Sequence, residues 1–184
     1  MNIFILSWCV QECAEWHFDM HVVKMIVELA QLLCTAHWQL NRPEKNERRF
    51  AKKLIYRETH KNHPCALWVR AHINNYRFTV KLAKALCQEY YFRYGQDKNK
   101  RHKTETVIDF LSRHEPKYTR NDNLVLIGPH KVTKPAQAMF DVYRVENDAI
   151  SAYRKYYQSN EKQHLCNWKK RDKPHWFHNN TCGK

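Results

Sequence analysis

Glycine, acidic residues and closely paired cysteines are scarce in this chain, and each shortage excludes something. Three glycines in 184 residues argue against a dinucleotide fold, a glycine-rich phosphate loop and a β-barrel with many tight turns. Seven cysteines, at 9, 13, 34, 65, 87, 166 and 182, contain no C-x-x-C pair. That spacing makes no zinc set and reads as reduced, mostly buried thiols rather than a disulfide framework. The stretch 20–33 is too short to cross a membrane and is interrupted by Lys24 and Glu28. The apolar start lacks the basic residues and long run of a signal peptide.

Other features are plentiful. Lys and Arg number 32 against 18 Asp and Glu, a formal charge of +14, with twelve His besides. An anionic partner follows, and nucleic acid is the commonest one. Hydrophobic residues at 43% and aromatics at 13% are enough for a core, which excludes a disordered basic tail.

The pattern along the chain is helical. Residues 2–6 are a short apolar run, an edge strand or an extended arm. Helical spacing runs from about Glu12 to Trp38 and stops before Pro43. A short helix is expected over 50–56 and a loop over 59–63. A long helix from Pro64 to Tyr94 ends at Gly95, with a kink near Asn74 and Asn75. A basic turn over 96–103, a helix over 104–114, an irregular segment over 115–135 and a final helix over 148–168 complete the reading. The expected fold is mainly α, a single compact helical domain over 1–177 with a long central helix. At most it has a short N-terminal strand, and 178–184 form a tail.

The first long helix holds the most informative pattern. On a wheel of about 100° per residue, His17, His21, Lys24, Glu28, Gln31 and Thr35 share one narrow stripe. Nearly every other position from 20 to 33 is apolar, so the helix should be central, its seam facing a cleft or a buried polar network. Lys24 and Glu28 stand i,i+4 and can pair. A desolvated lysine is a Schiff-base nucleophile, and a carboxylate beside it moves protons. His17 and His21 titrate near neutral pH; H-E-x-x-H is absent, and no metal or cofactor is expected. The bland alternative is a structural ion pair with two satisfied histidines.

A second candidate is the loop 59–64, where His60, Lys61 and His63 lie close together. Its alternative is a plain basic turn. Arg57 and His63 fit an R-x(4–6)-H spacing, which chance supplies readily in so basic a chain. Arg57, Lys61, Arg70, Arg77 and Arg171 are candidates for phosphate contacts. Most rings sit at core spacing, while Trp176 or Phe177 in the tail is expected to be exposed for stacking.

These motifs resemble those of a group of small phage and large-virus proteins. The W-H-x-D-x-H-V-V-K-M helix stands here at 16–25 and T-H-x-N-H-P at 59–64. R-Y-G stands at 93–95, H-K-T-E at 102–105 and W-x-x-R-x-x-P-x-W-F at 168–177. The chain is more remotely similar to the phage pyrimidine-dimer DNA glycosylases, through residues 14–17 and the R-x-x-P-x-W-F at 171–177. That resemblance implies a helical enzyme whose nucleophile is an N-terminal α-amino group working with a glutamate. The chain departs from it twice. Asn2 is a poor context for removing Met1, and the ungapped register puts Lys24 at the glutamate position, so that Lys24 would replace the amine and Glu28 the acid.

The expectation is a viral DNA glycosylase with lyase activity on damaged or modified bases, placed in the host cytoplasm or nucleus, with DNA a better partner than RNA. The alternatives are a metal-independent nuclease using His60 and His63, or a basic nucleic-acid-binding protein without catalysis.

Overall fold

In the computed structural model, residues 1–41, 55–119, 121 and 123–178 are described, and six α-helices account for most of their regular structure. These are α1 (Val10–Glu15), α2 (Asp19–Asn41), α3 (Pro64–Ala71), α4 (Ile73–Tyr90), α5 (Glu105–Arg113) and α6 (Ala149–Tyr157). The mainly helical single-domain reading holds. The helix expected over 50–56 falls largely outside the described residues, and Ile55 and Tyr56 themselves are not helical.

Residues 2–7 are extended and all buried, yet they form no strand, because their polar backbone groups are met by side chains instead. The Asn2 amide donates to Glu28, the Leu6 amide to the Cys13 thiol, and the Leu6 carbonyl accepts from Arg154. The arm lies between α2 and α6.

One continuous helix over 12–38 was expected, and the structure breaks it at 16–18. The break frees three carbonyls, which distant side chains satisfy. Arg93 donates to the carbonyls of Glu15 (2.7 Å) and His17 (3.0 Å), and the Trp168 indole donates to that of Trp16 (3.0 Å). Asp19 begins α2 and accepts from Arg93 and from the Lys169 amide.

The second long helix is also divided, at His72 rather than at Asn74 and Asn75. His72 is extended (φ −155°) and its ring accepts the Asn74 amide, ending α3 and capping α4. Asn75 instead lies buried, with its amide group bonded to Trp68 and Thr133. After α4 the chain makes a π-helical turn, Tyr91–Gly95. Any side chain at 95 would collide with the Lys100 carbonyl, so glycine is required there. The final helix ends at Tyr157, well short of 168, and only a 3-10 turn, Gln163–Leu165, follows.

Residues 168–177 dock into this frame. Arg93 and Glu89 are both fully buried and paired at 2.6 Å. Arg171 reaches the same carboxylate with two hydrogen bonds, of 3.0 and 2.8 Å. Burial works against an ionised Glu89, but hydrogen bonds from Arg171 and Arg93 outweigh it and hold the acid below the usual glutamate range. Trp176 and Phe177 are therefore buried, at 8% and 1% exposure, contrary to the expected exposed ring. Cysteine behaviour also differs from expectation: Cys9, Cys13, Cys34, Cys65 and Cys87 are free, but Cys166 is disulfide-bonded.

Glu89→Gln leaves two guanidinium groups facing a neutral amide. Breaking a buried ion pair from one side costs about 3–5 kcal/mol, so a urea titration should show a loss of that order. A loss under about 1 kcal/mol would mean that the pair is no more than a surface contact.

Candidate active site

His21, Met25 and Glu28 recur along one side of α2, with Phe18 just before it, and this side faces the buried arm 2–7 and α6. Where the arm meets the helix, a cleft of about 240 Å³ opens. Its walls include Met1, His21, Lys24, Glu28, Tyr156 and Lys162.

Glu28 lines the cleft, with its side chain 15% exposed. One carboxylate oxygen accepts from the Asn2 amide at 2.9 Å and lies 3.8 Å from the α-amino nitrogen of Met1. The other lies 3.7 Å from Lys24 Nζ. The Met1 side chain is only 4% exposed although the residue as a whole is half-buried, so its solvent-facing part is the backbone end. Asn2 fixes that end: its side-chain amide donates to the Ala138 carbonyl, and its oxygen accepts from the Ile3 amide and the Tyr153 hydroxyl.

Lys24 itself is 65% exposed. A desolvated lysine among apolar neighbours was expected; α2 turns Met20, Val23 and Lys24 outward instead. The half-buried amine of the cleft is Lys162, which no sequence pattern singled out. Its ammonium lies 4.9 Å from the centre of the Tyr156 ring and 5.5 Å from that of Phe4. Burial and the like charge of Lys24 lower its pKa below the usual lysine value. Among the described residues Lys162 makes no ion pair.

The two histidines of the seam are buried and neutral. His17 Nδ1 donates to the Cys13 carbonyl at 2.6 Å, and desolvation lowers its pKa to about 4. His21 is 2.6 Å from the Tyr157 hydroxyl and stacks on Phe4 at 4.6 Å. Desolvation, reinforced by His17 and the lysines, lowers its pKa to about 2. The titration near neutral pH expected of these residue types is thus shifted well down, because both rings are enclosed by aromatic neighbours that cannot solvate a cation.

The loop 59–64 is tied to the far end of the same seam. Thr35 donates its hydroxyl to the Thr59 carbonyl and accepts the Thr59 amide. His63 caps α3 by accepting the Cys65 amide, and His60 Nδ1 bonds the Thr59 hydroxyl at 2.6 Å. Neither ring lines the cleft. Burial first, then the positive charges of the terminal amine and His60, lower the His63 pKa.

The candidate phosphate contacts separate. Arg57 and Lys61 are exposed, and Arg70 donates to the Lys61 carbonyl. Arg77 is paired with Glu115 through two bonds, 2.8 and 2.7 Å. Arg171 is engaged by the Glu89 carboxylate of α4 through two bonds, and the Trp176 ring packs edge-on against Trp16. No group of three metal-ligating side chains occurs among the described residues, and none of their helices is long and apolar enough to cross a membrane.

Comparison with protein-family models, curated proteins and solved structures finds no match for this chain.

The neutral histidines set a pH response. His17, His21 and His37 have pKa values near 4, 2 and 4 against 6.5 unfolded. The unfolded chain therefore binds their protons first, and stability is lost as pH falls below 6.5. By linkage the loss at pH 5 is about 2 kcal/mol per histidine. Denaturant titrations at pH 7 and 5 check this, and His37→Gln should flatten the difference by that share. Equal stabilities at both pH values would contradict the burial of neutral rings.

Proposed function

We propose that the chain is a DNA glycosylase with lyase activity on damaged or modified bases, and that the Glu28 cleft is its active site. The observation that carries this reading is one half-buried carboxylate flanked by two amines, at 3.7 and 3.8 Å, beside the third amine of Lys162. The resemblance to the phage pyrimidine-dimer glycosylases implies an amine and a glutamate working together. Met1 and Glu28 match that pair more closely than Lys24 and Glu28, because Asn2 fixes the Met1 end while Lys24 extends into solvent.

The chemistry requires an uncharged amine next to a group that exchanges protons. Glu28 takes a proton from the ammonium, and the amine attacks C1′ of the deoxyribose. The base leaves with the electron pair of the glycosidic bond and takes up a proton. The C1′–O4′ bond then opens and O4′ is protonated, leaving an iminium link between C1′ and the amine. Loss of a C2′ proton to Glu28 expels the 3′ phosphate, and water releases the sugar and regenerates the amine. A cleft of 240 Å³ is too small for a base pair, so the target nucleotide has to leave the stack. The +14 charge favours DNA as a polyanion but contributes nothing to the choice of base. For the nuclease alternative, His63 is already engaged as a helix cap, and no observed geometry favours it.

Borohydride reduction on abasic DNA tests the proposal. A covalent adduct is expected, mapping by peptide sequencing to Met1, Lys24 or Lys162. Glu28→Gln should slow its formation at least about 100-fold, the lower end of general-base effects. No adduct, or an adduct elsewhere that is indifferent to Glu28→Gln, would overturn it.

A further inference from the structure

On the opposite side of α6 from the cleft lies a second depression, an open groove of about 590 Å³. Two of its lining residues carry buried polar atoms with no partner: the Trp176 indole N–H and the Ser159 hydroxyl. These residues are 8% and 7% exposed. An unsatisfied buried donor is destabilising and uncommon in folded proteins; two lining one cavity point to a ligand that supplies acceptors.

The groove also defines the ligand's charge. Arg154 lines it, held between the Trp16 and Trp176 rings at 5.1 and 5.2 Å. Of its guanidinium nitrogens, Nε donates to the Leu6 carbonyl, and Arg154 makes no ion pair among the described residues. Lys155 stands exposed, its ammonium donating one bond to the Val142 carbonyl, and none of the described residues that line the groove is acidic. A fixed guanidinium, an indole N–H, a hydroxyl and an ammonium form a donor set suited to oxyanions, and phosphate oxygens fit it best.

Position relates the groove to the cleft. Tyr143 lines the groove and packs at 5.2 Å on Tyr156, which lines the cleft. The two depressions share this aromatic wall. We propose that the groove is a phosphate subsite holding the nucleic-acid backbone beside the nucleotide taken into the Glu28 cleft. This rests on the reading of that cleft as a glycosylase site.

The test uses the full chain and an oligonucleotide carrying a tetrahydrofuran abasic analogue, with affinity read at several salt concentrations. Ser159→Ala removes one unpartnered donor, and Trp176→Phe removes the other together with part of the ring that packs on Arg154 and Trp16. Together they should weaken binding about tenfold, while Ser159→Ala alone leaves thermal stability level or raises it, because an unsatisfied burial has been removed. Lys155→Ala, at an exposed position, should reduce the salt slope by about one. At saturating DNA the borohydride adduct of every variant should match that of wild type. Unchanged affinity and slope in variants of an otherwise active protein would overturn the subsite alone. No binding or adduct from wild type would overturn the glycosylase reading and the subsite with it. If inorganic phosphate bound less well to the variants while oligonucleotide affinity held, the backbone assignment would fall.

Discussion

A fully buried guanidinium needs acceptors for all three of its nitrogens, and the fold is arranged around how Arg93 finds them. Its partners come from the end of α1, the turn at 16–18, the first residue of α2 and the Glu89 side chain on α4. Glu89 in turn receives Arg171 from the tail. Such a hub is costly to desolvate and adds little net stability against a well-packed apolar substitute. Its effect is positional. It stops α1, restarts α2 at Asp19 and so fixes the rotation of α2 about its axis.

That rotation decides the chemistry available. With Asp19 anchored, His21 and Glu28 face the arm 2–7, and Lys24 falls at the edge of the seam, in solvent. The arm is pinned by Asn2 and by Arg154 on its Leu6 carbonyl, which brings the Met1 amine to Glu28. Helix α6 closes the other side through Tyr156 and is followed by Lys162. Three amines and one carboxylate thus meet although they come from three separated stretches of the chain. The same Arg154 is the fixed cation of the groove beyond α6, so cleft and groove share one framework.

Much of the helical content was legible from apolar spacing, since α2, α4 and α5 all show it. The breaks were not. Nothing near Trp16 announces a helix end, because the groups that satisfy its freed carbonyls are Arg93 and Trp168, many residues away. His72 ended a helix through backbone conformation and its own ring, whereas the neighbouring asparagines looked like the weaker point. In the site, the composition of the seam was legible but its exposure was not. Periodicity shows that His17, His21, Lys24 and Glu28 share a face; which of them is enclosed depends on Phe4 and Tyr157, brought in from other segments, together with the neighbouring Phe18. Lys162 had no local signal at all. Trp176 was misread as an exposed ring because the anchor of the tail, Arg171 on Glu89, is a contact across 82 positions.

A structure of the chain bound to an oligonucleotide with a tetrahydrofuran abasic analogue bears most directly on the assignment of the cleft. The account predicts the unpaired sugar inside it, with C1′ within about 3.5 Å of an amine beside Glu28 and the carboxylate facing the sugar. An occupied DNA surface elsewhere, with the cleft closed over Met1 and Lys162 and the sugar distant from Glu28, would contradict it.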